Sequence, residues 1–267
     1  MGFAATRNLL LSLLLAEGSG LVAGPPFLTD DPQPVDPGHL ELYLFAAGQR
    51  TPGEGTGIAP AVEFNYGILA DTQLHLVLPW AYDRPQGAPA RAGLGDTELG
   101  IKFRFLQETD VLPQIGVFPH VEIATGNADR GLGSGHIQVF LPLWIQKGWG
   151  PWTSYGGYGW GRNPGPGNQN WNYAGWLLQR DLGESLTLGL EAFRTTSMTV
   201  GGRPSTGFNA GGQVNLSTRH HLLFSCGRDF RGATKSNFYV GYQFTAGPFG
   251  RPGDRSSPPS SHSSGDR

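Results

Sequence analysis

Charge is what this sequence has least of. Asp, Glu, Lys and Arg together make 15% of its 267 residues, against about 25% in an ordinary soluble domain. The formal net charge is only −2, so the chain has no broad electrostatic footprint with which to hold nucleic acid. Cysteine is nearly absent: Cys226 stands alone, which excludes an internal disulfide framework and a cysteine-rich zinc site. Long hydrophobic runs are missing too. Past the first residues, no run approaches the roughly 18 apolar residues of a transmembrane helix. A chain like this can meet a membrane only with strands.

What fills the space is glycine, 42 of them, with Asn, Gln and Thr where a soluble sheet would carry Lys and Glu. Residues 1–23 have the layout of a secretory signal peptide: a basic Arg7, an apolar stretch Leu9–Ala16 (LLLSLLLA), and a cleavage neighbourhood at Ala23-Gly24. Residues 246–267 are rich in Pro, Ser and Gly and predict a disordered tail.

Between these ends, over 24–245, the dominant period is two, the spacing of strands with two distinct faces. Across Asp96–Phe105, Thr97, Leu99, Ile101, Phe103 and Phe105 share one face, and Asp96, Glu98, Gly100, Lys102 and Arg104 share the other. Phe208–Leu216 and Asn237–Phe244 repeat this. Weaker alternation runs through 73–80, 114–123, 136–146 and 186–191. Adding Leu40–Ala47, Val62–Tyr66, Trp152–Gly161, Trp171–Arg180 and Leu222–Gly227 predicts about twelve strands. Over 152–180 the faces are blurred, because Tyr and Trp occur on both and glycine interrupts.

The connections carry a second signal. Those near 67–72, 107–113, 147–151, 181–185 and 217–221 read as short. Those near 51–57, 83–94, 126–135, 162–170, 197–206 and 228–236 read as longer and richer in Gly, Pro and Asn. Alternating short turns and long loops is the order of an outer-membrane barrel, and an even strand count leaves both termini on the periplasmic, short-turn side. In hydrocarbon every backbone N–H and C=O needs a partner, and only closure removes unpaired edges. The expected fold is therefore an all-β, antiparallel transmembrane β-barrel in the cell outer membrane. A soluble periplasmic lipocalin-like barrel or sandwich would bury the same faces, but low charge, the leader and the loop alternation argue against it.

One stretch leads into the first strand as PPFLTDDPQP (Pro25–Pro34), followed by GHLELYLF (Gly38–Phe45). Together with Thr97–Phe105 (TELGIKFRF), Trp171–Phe193 (WNYAGWLLQRDLGESLTLGLEAF) and Gly207–Leu216 (GFNAGGQVNL), it resembles the outer-membrane barrel family named for the meta pathway of phenol degradation. The resemblance covers nearly all of 25–245. It implies a barrel that moves hydrophobic or aromatic compounds, and no catalytic motif. The tail after Phe244 departs from barrels that end on an aromatic residue.

On the inward face the alternation places Glu41, Glu63, Asn65, His75, Asp96, Glu98, Lys102, Arg104, His120, Glu122, Gln138, Glu191, Asn209, Gln213 and Gln243. Such residues either line a polar path or pair across the lumen and fill it, since burying an unpaired charge is costly. Asp96, Glu98, Lys102 and Arg104, on one strand, suggest a cross-strand ion network. Asp30-Asp31 reads as a cap or turn before the first strand. No Gly-x-Ser-x-Gly elbow or metal-site spacing is present, and Gly131–Gly135 (GLGSG) leads into a strand rather than a phosphate-binding helix. No enzyme, cofactor or metal is expected. The reading is an outer-membrane channel for small hydrophobic or aromatic solutes, with membrane lipid as its partner. The alternatives are a non-conducting structural or interaction barrel displaying loops 83–94 and 126–135 outside, and, further off, an outer-membrane enzyme.

Overall fold

A computed structural model describes residues 25–232 and 234–249; the signal-peptide reading of 1–23 and most of the tail fall outside this range. Fourteen hydrogen-bonded segments run in chain order: β1 (Leu40–Thr51), β2 (Glu54–Leu69), β3 (Thr72–Arg84), β4 (Arg91–Leu94), β5 (Thr97–Leu106), β6 (Gln114–Val117), β7 (His120–Ile123), β8 (Gln138–Trp149), β9 (Trp152–Arg162), β10 (Trp171–Asp181), β11 (Leu186–Thr195), β12 (Ser205–Asn215), β13 (His220–Arg231) and β14 (Ser236–Ala246). They make twelve staves. β4 and β5 are one stave interrupted at Gly95-Asp96, and β6 and β7 one interrupted at Phe118-Pro119, where proline has no N–H to give the ladder. Each stave pairs antiparallel with its sequence neighbours, and β1 pairs with β14, from Leu40↔Ala246 to Arg50↔Ser236, closing the ring.

Closure explains the burial pattern. On β3 the residues alternate strictly: Gln73, His75, Val77 and Ala81 buried, Leu74, Leu78 and Trp80 exposed. The exposed set continues around the ring as Leu44, Leu99, Ile101, Phe103, Leu141, Leu143, Leu190, Phe208, Phe224 and Val240. A soluble protein does not leave so many large apolar side chains in one continuous belt; hydrocarbon is the solvent that accepts them.

Several connections differ from expectation: 83–94 shrinks to the residues between β3 and β4, which pair through Asp83↔Arg91, and 228–236 to those between Arg231 and Ser236. The stretch 51–57 is no loop: β1 and β2 run on to Thr51 and Glu54 and meet in a two-residue turn, with Gly53 at φ 89°, a backbone angle that favours glycine. The 124–137 loop is not simply displayed. It folds back over the barrel mouth, and its Leu132, 1% exposed, joins Ile58, Ala61, Val77 and Ala81 in the core. Asp96 fixes it there, accepting from the backbone N–H of Gly126 (2.9 Å) and Ser134 (2.6 Å) and from the Ser134 hydroxyl (2.8 Å).

Candidate functional site

The polar side chains turned away from lipid need partners, and much of the supply comes from the chain before β1. Residues 26–35 do not merely lead into the first strand; they thread the lumen. Phe27, Thr29 and Asp30 are each 3% exposed or less. The turn reading of Asp30-Asp31 holds for Asp31, whose Oδ1 accepts from the Gln33 N–H at 2.7 Å. It is corrected for Asp30, which is a lumen ion pair: the Lys102 ammonium on β5 lies 3.0 Å from its Oδ1, with Asp31 at 3.8 Å. Lys102 also sits 5.1 Å from the Phe118 ring centre, a cation–π contact.

The opposite wall holds the segment through Glu191 on β11. Its Oε1 accepts from the Thr29 N–H at 2.5 Å and from the Tyr173 hydroxyl at 3.1 Å; its Oε2 accepts from Asn209 Nδ2 at 2.6 Å and the Leu28 N–H at 3.3 Å. Four donors replace the water that this fully buried carboxylate has lost. Gln73 accepts from the Val35 N–H at 2.8 Å, and the Ser225 hydroxyl donates to the Pro26 carbonyl. Side chains from staves around the ring thus converge on one short peptide.

A second cluster joins β2, β3, β5 and β7. His75 places Nδ1 2.7 Å from Asn65 Oδ1 and Nε2 2.9 Å from Glu98 Oε1, while Asn65 Nδ2 donates to Glu63 at 2.7 Å. His120 Nδ1 faces the Phe118 carbonyl at 3.1 Å, with Nε2 4.0 Å from Glu98. Glu122 is buried beside Glu98 in the β5–β7 ladder. The remaining inward candidates take local partners. Glu41 accepts from the Tyr43 hydroxyl, Gln138 donates to Asn163, Gln213 donates to Asn215, and Gln243 is buried at the β1–β14 seam. Arg104 reaches the turn residue Asp71 at 2.7 and 2.8 Å. The four charges of Asp96–Arg104 therefore do not form one network. Each pairs with a different part of the chain: a loop, a histidine, the N-terminal segment and a turn. Among the described residues no three His, Cys, Asp or Glu side chains converge as metal ligands.

The period-two reading missed the lumen's aromatic half. Phe118, Phe140, Trp144, Trp171, Tyr173 and Phe193 form one buried cluster. Phe140 and Trp171 flank Gly161 in the ladder and stack on each other, ring centres 4.8 Å apart and 6° from parallel, Trp171 lying over Gly161 and Phe140 over Gly159. The signal was present as the glycines of 156–161: an inward ring lies flat on the wall only where its neighbour has no side chain.

The segment divides what space remains. On its short-turn side is a polar chamber lined by Glu41, Gln73, Lys102, Gln146, Gln179, Gln213 and Gln243 among others. On the far side a smaller, partly open space lies between Phe27-Leu28 and the wall formed by β12, β13, β14, β1 and β2.

No family model and no curated protein matches this chain. Solved structures do. The COG4313 outer membrane channel from Pseudomonas putida F1 superposes with a TM-score of 0.65 at 15% identity, covering 81% of this chain and 98% of that one. The NanC porin gives 0.54 at 6% identity, and the KdgM porin in complex with disordered oligogalacturonate 0.53 at 9%; each covers 76% of this chain and 98% of its own. At such identities the likeness establishes the fold, that of outer-membrane channel and porin barrels.

Proposed function

We propose that this chain is an outer-membrane channel for small hydrophobic or aromatic molecules, with its lumen narrowed by residues 26–35 and both termini on the periplasmic side. One observation carries the reading: the segment crosses the lumen between a polar chamber and a more apolar one, held by Lys102 on one wall and Glu191 on the other. A barrel serving only as a scaffold has no use for a peptide so placed, with open space left on both sides. A wide general porin would have none either. The fold and the continuous apolar belt support placement in the outer membrane, with lipid around the ring.

Planar-bilayer conductance and uptake of a labelled aromatic solute test this. The full chain should conduct weakly, and deletion of residues 26–35 should raise conductance severalfold. A barrel silent in both forms, with no uptake defect in cells lacking it, would retire transport in favour of a non-conducting barrel. The inward-folded 124–137 loop gives that second reading some footing.

A further inference from the structure

We propose that residues 124–137 form a hinged lid over one mouth of the barrel, latched by Asp96, and that its opening lifts Leu132 out and lets an apolar solute in. The movement is a property of the fold, whereas its use as an entrance rests on the channel reading. The mouth it covers is the one opposite both chain termini. Twelve antiparallel staves put the end of β7 and the start of β8 at the same end of the barrel as the β1–β2 turn.

The loop is built as a compact tip on a neck. Within the tip, the Arg130 N–H donates to the Asn127 carbonyl at 3.1 Å, the Gly131 N–H to the Ala128 carbonyl at 3.0 Å, and the Leu132 N–H to the Asn127 carbonyl at 3.0 Å. These bonds survive if the tip moves as a unit. Two attachments hold it down. Asp96 accepts from the N–H groups of Gly126 and Ser134, one on each side of the neck, and from the Ser134 hydroxyl. Gly133 permits this clasp, since a Cβ there would stand 2.4 Å from Asp96 Oδ1. The other attachment is the Leu132 side chain, seated among Ile58, Ala61, Val77 and Ala81. Among the described residues no other hydrogen bond or ion pair ties 127–133 to the wall. Asn127, Ala128, Asp129 and Arg130 are all exposed. A segment held by one buried side chain and one carboxylate opens more readily than the ladder beneath it. Gly126 and Gly135 bracket the neck, and Gly135, at φ 70°, has the backbone freedom that a hinge uses. Lifting Leu132 bares its apolar seat to water, and an apolar group entering there restores the burial. Ile58 belongs both to this seat and to the lining of the space behind Phe27-Leu28, so the seat adjoins the interior of the lumen.

Hydrogen exchange of the purified full chain, folded in detergent, reads the opening directly. The Gly126 and Ser134 amides share one acceptor, so they should show one common protection factor, about tenfold or more below that of the ladder amides of β8 and β9. A thiol placed in the seat reads what the opening uncovers: Val77→Cys in a Cys226→Ser background, because Cys226 is itself exposed. Asp96→Ala should speed modification of that thiol by a small methanethiosulfonate about tenfold, the worth of a charged hydrogen-bond acceptor. Ser134→Ala removes one donor and should act in the same direction, more weakly, and heat-modifiable gel migration checks that each barrel is intact. In planar bilayers Asp96→Ala should raise the conducting fraction severalfold. Equal protection of neck and ladder, or a thiol rate that both variants leave unchanged, would overturn the lid. Conduction unmoved by Asp96→Ala would overturn its use as an entrance. A seat thiol that both variants uncover, in a chain that never conducts, would overturn the channel reading and leave the lid standing.

Discussion

The Asp30 carboxylate and the Lys102 ammonium, 72 residues apart in the chain, meet at 3.0 Å inside the barrel, both side chains less than 10% exposed. Removing one partner of such a pair strands the other charge, at a cost of about 3–5 kcal/mol. Lys102→Met should therefore be more damaging than the double change Lys102→Met with Asp30→Asn, because the second substitution removes the stranded charge. Denaturant unfolding of the detergent-folded chain measures the difference. Protease cleavage within residues 26–35 should be faster in the single variant if the pair holds the segment in place.

Gly161 lies under the Trp171 ring, itself stacked on Phe140, and a Cβ there would stand 2.2 Å from Trp171 Cε2 and Nε1. A ring buried among aromatics has no room to move aside. Gly161→Val should cost about 1–3 kcal/mol or more through overpacking, and should lower the temperature at which the barrel loses its compact migration in SDS. Gly183→Ala, in an exposed turn with nothing within 4 Å of the added carbon, tests a different effect: its φ of 83° makes the penalty one of backbone strain, confined to that turn.

On the outer face, Leu190 is 59% exposed near the middle of β11, paired between Leu178 and Ala210. Arginine there should destabilise the barrel by about 2–4 kcal/mol in a bilayer, the midplane penalty, falling toward about 0–1 kcal/mol near the interface. Leu190→Arg and Leu216→Arg, the latter just past the end of β12, should then differ in folding yield into lipid vesicles. Equal yields would mean that the belt does not face acyl chains.

Asp71 sits in the turn between β2 and β3 with φ 61°. Hydrogen bonds from Arg104, and then from Gln107, hold its carboxyl below the usual aspartate range. A depressed value means that the carboxylate is favoured in the folded chain. Its contribution is fully present above the ordinary aspartate pKa of about 3.9 and is lost as pH falls through the lower folded value. Carboxyl titration by nuclear magnetic resonance should find Asp71 below that range, and Arg104→Gln should move it back up. Asp71→Asn, which keeps a residue tolerant of this backbone angle, should remove the corresponding part of the acid-limb stability loss.

Much of the wall was legible in the sequence. The alternation of Thr97–Phe105 and Asn237–Phe244 fixes which side chains face out, and the twelve predicted strands coincide with the twelve staves, including the one that Pro119 breaks. Strand ends were harder to read. Over 51–57, Gly, Thr and Glu look like loop residues, yet the ladder continues through them because the neighbouring staves are already in place to pair with it.

The interior was less legible, and the reason is physical. Whether a residue points to lipid or to the lumen is a local property of a strand, repeated every second residue, so the linear order of side chains determined the barrel, its closure and its apolar belt. What a lumen-facing side chain touches depends on staves far apart in sequence and on any peptide that passes between them. Only the closed ring brought Glu191 to Thr29 and Lys102 to Asp30, and only in that ring did PPFLTDDPQP become part of the barrel's interior rather than its approach.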